Sequence, residues 1–400
     1  MLIQRAPWRA GGHPLTSWHS APAKSANSPL HRQQETYAPV PRTLPSTSEK
    51  PWGSIEVTRI PLEESREVFL DHSSWLHKPK WVFANVSKRQ LTEFFGSCEL
   101  REREKDELLD ASKWQEEDGG CSVFPSEDLI LHLGAGSRRK IYALLSRTEA
   151  NYPQNHPFRF SLDGFNDRFI GAGIPAEKLA FIRSLTYTNQ DLLAFADLEP
   201  VAKILSLKEF RSMINALYSI PSVKIRLRVA SDSNIDSLLH YWGVGGREDR
   251  LRPILESLAR IEGGESINVS YFMPAFPRLH LYTFPDPQVE PRTDCFYTAL
   301  NFFNETPDAR FSDPIIVKKT LQTGYSRAQG DPHFGDLIIL ADQAGDALHV
   351  AVFIADDIVF TKNGASYLQP WVMMRISDML AYYPTEKPWN IVVLRKTTTG

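Results

Sequence analysis

The feature that most restricts the fold is a change in the spacing of apolar residues along the chain. In residues 53–221 they recur every three or four positions, most clearly at 88–100, 137–147 and 198–218, and this spacing predicts helices. After residue 288 they form short β-branched runs separated by Asp, Gly and Asn, which is typical of strands. Helices followed by strands predict an α+β protein.

The segment between these two regions has a pattern of its own. Residues 222–230 (SVKIRLRVA) alternate apolar and basic side chains, which predicts a half-exposed strand. Two helices are expected after it, followed by further strands at 266–273 and 279–283. We therefore interpret residues 222–288 as a small α/β module.

The sequence thus divides into four parts, and no internal repeat is evident in it. Residues 1–52 are rich in Pro and Ser and lack apolar periodicity, so we expect a flexible tail. The other parts are a mainly helical domain (53–221), the small α/β module (222–288) and a C-terminal domain (289–400). In the C-terminal domain we expect a helix over 293–303 and strands at 336–340, 348–355, 358–361 and 389–395.

The overall composition excludes several classes of function. The net charge of -3 gives no general attraction to nucleic acid or to anionic membranes. No apolar run approaches the roughly 18–20 residues that span a bilayer, so we expect no transmembrane segment. Met1 is not followed by the apolar stretch of a secretory signal peptide. The compartment and the oligomeric state are left open by the sequence.

The three cysteines direct attention to a single thiol. Cys98, Cys121 and Cys295 are too few for a disulfide framework, and none has a nearby Cys or His at the spacing of a zinc site. The sequence therefore predicts neither a metal nor an organic cofactor. Any pairing of the three leaves one free thiol, which makes a reactive cysteine the first functional hypothesis.

Cys295 lies where a helix is expected to begin. Thr293 and Asp294, which precede it, are both favourable N-cap residues. The unpaired N–H groups and the positive end of the helix dipole favour a thiolate at this position. The same N–H groups can later hold the oxyanion of a tetrahedral intermediate.

A thiol nucleophile requires a base and a group that orients the base. His349 lies on the strand expected at 348–355, so its ring projects from one face of a sheet. Asn363 is the residue best suited to accept the ring N–H, with Thr361 and Lys362 as alternatives that depend on strand register. His333 is a competing base, although its loop position favours a surface histidine.

The order of these pieces resembles a known family. An Asp-Cys helix start, the strand beginning GDLI (335–338) and the strand HVAVFI (349–354) resemble the catalytic domain of NlpC-type peptidases, over about residues 290–398. These are papain-like cysteine hydrolases that cut the peptide stems of bacterial cell wall. The resemblance implies that Cys295 is the nucleophile, His349 the general base, and Asn363 or Thr361 the third residue.

The resemblance also implies a chemistry and a substrate. The expected reaction is hydrolysis of an amide bond through a thioester, with a peptide or cell-wall peptide as the substrate and export or the cell envelope as the location. The chain departs from the family at Phe296 and Tyr297, where Ser-Gly is common, and in having no histidine at the third position. The alternatives are therefore a non-catalytic binding protein with a papain-like fold and a thioester-dependent acyltransferase. Related lipid-directed acyltransferases place the histidine before the cysteine, the reverse of the order here.

Two other signals have structural explanations. The glycine-rich run at 133–140 (LGAGSRRK) resembles a phosphate loop, but it lacks the third glycine of a dinucleotide fingerprint and the ending of a Walker loop. A junction between two helices with basic surface residues is expected there. Trp371 follows the third candidate residue closely enough to line a cleft, although most tryptophans fill cores.

Overall fold

The structure, a computed structural model, describes residues 50–63, 79–117, 119–162, 164–189, 191–286, 293–383 and 389–397. The predicted tail (1–52) lies almost entirely outside these ranges. The strands are β1 (Ser54–Arg59), β2 (Trp81–Ala84), β3 (Gln115–Glu117), β4 (Gly120–Val123), β5 (Phe158–Ser161), β6 (Tyr187–Asn189), β7 (Leu192–Phe195), β8 (Val223–Val229), β9 (Glu265–Asn268), β10 (Tyr325–Arg327), β11 (Leu337–Ala341), β12 (Ala347–Ala355), β13 (Ile358–Lys362), β14 (Trp371–Arg375) and β15 (Asn390–Lys396).

The α-helices are α1 (Lys88–Ser97), α2 (Glu102–Leu108), α3 (Glu127–His132), α4 (Ala135–Leu145), α5 (Tyr152–Asn155), α6 (Gly164–Arg168), α7 (Ala176–Ser184), α8 (Leu198–Ala202), α9 (Leu207–Tyr218), α10 (Ile235–Trp242), α11 (Glu248–Ala259), α12 (Ala275–His280), α13 (Cys295–Leu300), α14 (Pro314–Gly324) and α15 (Ile376–Leu380). Short 3-10 helices cover Ala111–Lys113, Glu149–Asn151, Val269–Phe272 and Ala309–Ser312. Small antiparallel sheets combined with these helices confirm the α+β class. Within the described ranges, no helix is long and apolar enough to cross a membrane.

The chain divides into two compact units. The discontinuous unit consists of the described parts of 1–62 and 221–400, and the inserted unit consists of those of 63–220. The predicted boundary near residue 221 coincides with the division between the units. By contrast, the small α/β module and the C-terminal domain, which were predicted separately, belong to one unit and share one hydrophobic core.

In the discontinuous unit, a three-stranded sheet has the order β1-β8-β9. In β8 the apolar residues at 223, 225, 227 and 229 are fully buried, while the basic residues between them are exposed or half-buried, which confirms the predicted half-exposed strand. β1 pairs antiparallel with β8 from Ser54–Arg228 to Arg59–Val223. The segment just before residue 60 therefore joins this unit, although the sequence assigned it to the mainly helical domain.

The second sheet of this unit has the order β10-β15-β11-β12-β13-β14, and its pairs are antiparallel. The strands predicted at 336–340, 348–355, 358–361 and 389–395 all occur, within one residue of their predicted ends. β14 was not predicted from the sequence. Helix α13 packs against β12 in the shared core, and this contact brings Cys295 to the sheet.

Two strand predictions in the small module are wrong. Of the segment 266–273, only its first residues belong to β9, because the Asn268 side chain accepts a hydrogen bond from the N–H of Ser270 at 3.0 Å and starts a 3-10 turn. The segment 279–283 contains the end of α12 instead of a strand. Pro277 lies in the first turn of this helix, where a missing N–H costs nothing.

The inserted unit contains the same topology twice, although no internal repeat is evident in its sequence. Each copy runs strand, two helices, a two-stranded hairpin and two helices: the first extends from β2 to α4 and the second from β5 to α9. Their sheets have matching orders, β2-β4-β3 and β5-β7-β6. The copies share a pattern of burial more than residue identities, since β4 is GCSV where β7 is LLAF. This difference hides the duplication from sequence inspection.

The glycine-rich run has a structural role in this unit. Gly134 is the N-cap of α4, and Arg138 is fully buried instead of lying at the surface as predicted. The Arg138 guanidinium donates to the carbonyl oxygens of Ile130 at 2.7 Å and Leu133 at 3.1 Å, and it forms an ion pair with Asp197. Arg138 therefore connects the helices of the two copies.

Candidate active site

Cys295 occupies the first position of helix α13. The Asp294 side chain caps the helix by accepting a hydrogen bond from the N–H of Tyr297 at 2.9 Å, as the sequence predicts for this residue type. The Cys295 thiol is buried, with 6% of the residue exposed. The backbone N–H groups of Phe296 and Val350 donate toward its sulfur. The helix start thus holds the thiol against strand β12, where the N–H of Val350, the residue after His349, faces the sulfur.

His349 lies near the start of β12 and is fully buried. Its backbone pairs with Leu340 of β11. Ring atom Nε2 lies 3.0 Å from Oγ1 of Thr361. Ring atom Nδ1 is buried and has no hydrogen-bond partner among the described residues. Nε2 of His349 therefore has a hydrogen-bond partner in the protein, whereas Nδ1 is available to accept or donate a hydrogen bond.

A local separation of two strands makes this arrangement possible. The pairing of β12 with β13 runs from Ala355–Ile358 to Val352–Phe360. Beyond this point the Thr361 side chain bridges the strands, with Oγ1 3.4 Å from the carbonyl oxygen of Val350. The Thr361 side chain therefore reaches the His349 ring where the backbone pairing of β12 with β13 ends.

Of the three candidates for the orienting position, Thr361 is the one that contacts the His349 ring. Nδ2 of Asn363 donates to the sulfur of Met374 at 3.3 Å, and its Oδ1 has no hydrogen-bond partner in the part of the chain that is described. Nζ of Lys362 donates to the carbonyl oxygens of Gly364 and Ser366 at 2.8 and 2.9 Å. Asn363 was preferred for its side-chain chemistry, whereas the contact with the His349 ring follows from strand register.

Burial dominates the protonation of the pair. It raises the pKa of the Cys295 thiol to about 12, with a further contribution from Asp294, against the opposing effects of the two N–H groups and Lys362. Burial also lowers the pKa of His349 to about 3. At neutral pH this conformation therefore holds a thiol and a neutral imidazole. The helix start alone predicted a thiolate, but its effect is smaller than that of desolvation.

One participant was not anticipated from the sequence. The ring of Tyr383 stacks on the ring of His349, with centroids 4.4 Å apart and an interplanar angle of 26°. Burial raises the pKa of the Tyr383 phenol, and the nearby Cys295 and Asp294 raise it further. A tyrosine three residues after a short helix gives no recognisable sequence signal, and only the fold places it over the histidine.

The remaining sequence candidates lie in other environments. Trp371 is buried, and its indole N–H donates to Oγ1 of Thr298 at 3.0 Å, so it braces α13 instead of lining an open cleft. His333 is exposed in the loop before β11, as expected for a surface histidine. The Phe296-Tyr297 pair that follows the cysteine packs into the core.

Within the described ranges, no three His, Cys, Asp or Glu side chains are grouped as a metal site would require. Comparisons of the chain with protein-family models, with curated proteins and with solved structures found no match.

Proposed function

We propose that the discontinuous unit is a cysteine hydrolase that cleaves an amide bond, with Cys295 as nucleophile, His349 as general base and Thr361 as the residue that orients the base. The observation that carries the proposal is the difference in hydrogen bonding between the two ring nitrogens of His349. Nε2 is bonded to Thr361, whereas the buried Nδ1 lacks a partner among the described residues. Buried polar atoms usually have a hydrogen-bond partner, and a catalytic role is one of the reasons for an exception.

The contacts of Thr361 define which tautomer can act as the base. We place the ring proton of His349 on Nε2, so that this N–H donates to the Thr361 hydroxyl at 3.0 Å and the hydroxyl donates to the carbonyl oxygen of Val350 at 3.4 Å. With the ring proton on Nε2, Nδ1 carries the basic lone pair. This is the role that the third residue has in a catalytic triad.

The reaction follows from these positions. The Cys295 thiol transfers its proton to Nδ1 of His349, and the sulfur attacks the amide carbonyl carbon. The N–H groups of Phe296 and Val350, which face the sulfur, stabilise negative charge on the thiolate and on the tetrahedral intermediate. The imidazolium then protonates the leaving amine as the C–N bond breaks, which leaves a thioester on Cys295. His349 removes a proton from water, which hydrolyses the thioester to a carboxylic acid and returns the thiol.

The resemblance to NlpC-type peptidases supports a papain-like architecture and a peptide substrate. A cysteine at a helix start, packed against an antiparallel sheet that carries the histidine, has the family's order of elements. By this resemblance, peptide stems of bacterial cell wall are the proposed substrate class, and export or the cell envelope is the proposed location.

A specific observation favours a rival function. Both Cys295 and His349 are buried, and each is in its neutral form in this conformation. A non-catalytic binding protein that retains the papain-like fold would show the same sealed pair. An acyltransferase would share the thioester step and differ only in passing the acyl group to an amine or alcohol.

Incubation with short peptides, including cell-wall stem peptides, tests the proposal. We expect release of new amino groups, and an acyl adduct located on Cys295 by mass spectrometry after acid quenching. Cys295→Ser and His349→Ala should abolish the release, while Cys121→Ser, in the inserted unit, should retain it. An acyl adduct that forms without free acid product would favour the acyltransferase. The absence of both adduct and cleavage across the panel would favour the binding protein.

A further inference from the structure

Tyr383 stacks on the ring of His349, the base of the proposed site. Its ring is parallel to that of His349 to within 26°, and the centroids are in contact at 4.4 Å. Cys295 and Asp294 both raise the pKa of the Tyr383 phenol, so the phenol also lies near the thiol. A substrate carbonyl must approach the same sulfur within reach of the same imidazole. Tyr383 and the substrate therefore compete for one place.

The support of Tyr383 is modest compared with that of the helix before it. Helix α15 is anchored by an ion pair of 3.0 Å between Asp378 and Arg59. Tyr383 is held by its own N–H, which donates to the carbonyl oxygen of Leu380 at 3.0 Å, and by the indole N–H of Trp389, which donates to the Tyr383 carbonyl oxygen at 2.8 Å. Among the described residues, two hydrogen bonds and a ring contact hold Tyr383, and each is a weak interaction.

We propose that Tyr383 is an autoinhibitory cover of the Cys295–His349 pair, and that the site reacts only when the Tyr383 ring withdraws and a substrate takes its place. This inference depends on the proposed function for its biological meaning, but the covering contact can be tested without any substrate. The cover explains why the thiol and the imidazole are both found buried. It also keeps the thiol from unwanted oxidation and acylation while no substrate is bound.

The charged groups around Cys295 and His349 determine what changes at the site when the Tyr383 ring withdraws. Asp294 beside the thiol opposes thiolate formation, and Lys362 on β13 favours it. Tyr382 contributes to the field at Tyr383. Asp294 caps α13 and Lys362 lies on β13, so both remain in place when Tyr383 leaves. The main change is therefore that water reaches the Cys295 sulfur and the His349 imidazole. Hydration favours both charged forms.

Iodoacetamide alkylation of the full-length protein at about pH 7.5 tests the cover, with peptide mass spectrometry to follow each cysteine. We expect Tyr383→Ala to increase the alkylation rate of Cys295, about tenfold for each pKa unit that hydration removes from the thiol. Tyr383→Phe keeps the ring and should label as slowly as the wild type. Trp389→Phe removes the indole N–H that donates to Tyr383 but keeps an aromatic ring, and it should give a smaller increase. Tyr367→Ala, an exposed tyrosine elsewhere in this unit, should have no effect.

Cys98 and Cys121, both buried in the inserted unit, report on general unfolding in the same sample. Acceleration confined to Cys295 supports the cover. Unchanged Cys295 labelling in both Tyr383→Ala and Trp389→Phe would overturn it, as would equal acceleration of all three thiols in both variants. If Cys295 becomes reactive in Tyr383→Ala but no peptide is cleaved, the cover holds and the hydrolase proposal fails.

Discussion

At the scale of single residues, burial determines the chemistry of the site more than position in the helix does. A helix start favours a thiolate, and two N–H groups point at the Cys295 sulfur, yet the thiol pKa rises to about 12 because the group is sealed from water. The same sealing lowers the pKa of His349 to about 3. In the covered site the Cys295 thiol and the His349 imidazole are therefore both neutral, and their reactivity depends on what exposes them to water.

These shifts predict a dependence of stability on pH. In the folded chain His349 resists protonation until about pH 3, while the unfolded chain binds that proton near 6.5, so the free energy of unfolding falls as the pH drops from 6.5 toward 3. Cys295 keeps its proton up to about 12 when folded and loses it near 9.0 when unfolded, so stability falls again as the pH rises from 9.0 toward 12. Each slope approaches about 1.4 kcal/mol per pH unit.

Urea unfolding as a function of pH measures both slopes. Subtracting the profile of His349→Asn from that of the wild type should isolate the acid slope, and subtracting that of Cys295→Ser should isolate the alkaline one. A difference profile that stays flat across either window would show that the corresponding group titrates normally in the folded protein.

The orienting role of Thr361 predicts a second effect. Thr361→Val removes the hydroxyl at nearly constant volume, so His349 loses its partner at Nε2 and the preference for a basic Nδ1. We expect a loss of about 1 kcal/mol in stability and a fall of about tenfold or more in the rate of peptide cleavage. Thr361→Ser should largely restore cleavage. Asn363→Ala should leave it close to the wild-type rate, and a larger loss there than in Thr361→Val would return the third position to Asn363.

At the scale of elements, the sequence predicted those parts of the fold whose signal is local. The alternation in β8 and the apolar runs of β11, β12, β13 and β15 are visible in any short window, and the Asp294 cap marks the start of α13. Features that depend on tertiary contacts were missed. Examples are the pairing of β1 with β8, the turn after Asn268 and the selection of Thr361 over Asn363, which depends on where the β12–β13 ladder ends.

The Arg138 ion pair gives a prediction for helix α4. Arg138→Ala leaves the Asp197 carboxyl group buried without its cationic partner, and breaking a buried pair in this way costs about 3–5 kcal/mol. Arg139→Ala, at the exposed neighbouring position, should change stability by about 0.5 kcal/mol or less. Chemical denaturation of the two variants makes the comparison. Equal losses would indicate that Arg138 is solvated and not a structural link between the two copies.

At the scale of the whole molecule, the discontinuous unit depends on a strand that precedes the inserted unit in sequence. The end of β1 lies beside the start of β8, where the N–H of Ile60 donates to the carbonyl oxygen of Ser222 at 2.9 Å. The indole N–H of Trp242 also donates to the carbonyl oxygen of Trp52 at 3.1 Å. Residues 50–60 thus complete both the sheet and the core of the unit that carries Cys295.

This connection predicts that the inserted unit can be removed. Since residues 60 and 222 are adjacent, a short Gly-Ser loop in place of 63–220 would close an ordinary hairpin. We expect the shortened chain to fold and to protect Cys295 from alkylation as the full chain does. A chain that begins at residue 221 lacks β1 and exposes the edge of β8, so it should aggregate or label rapidly. Equal folding of both shortened chains would show that β1 is dispensable.

The central claim is that His349 acts as the base for Cys295, and the most direct test compares two chains across pH. Iodoacetamide alkylation of Cys295 is measured from about pH 5 to about pH 9 in Tyr383→Ala and in the double variant Tyr383→Ala/His349→Ala. The account predicts that the single variant reacts readily below pH 7, because an uncovered thiolate–imidazolium pair forms. The double variant should react only as the pH approaches the pKa of an ordinary thiol. Superimposable profiles would contradict the account, because they would show that the imidazole has no influence on the thiol even when the pair is open to water.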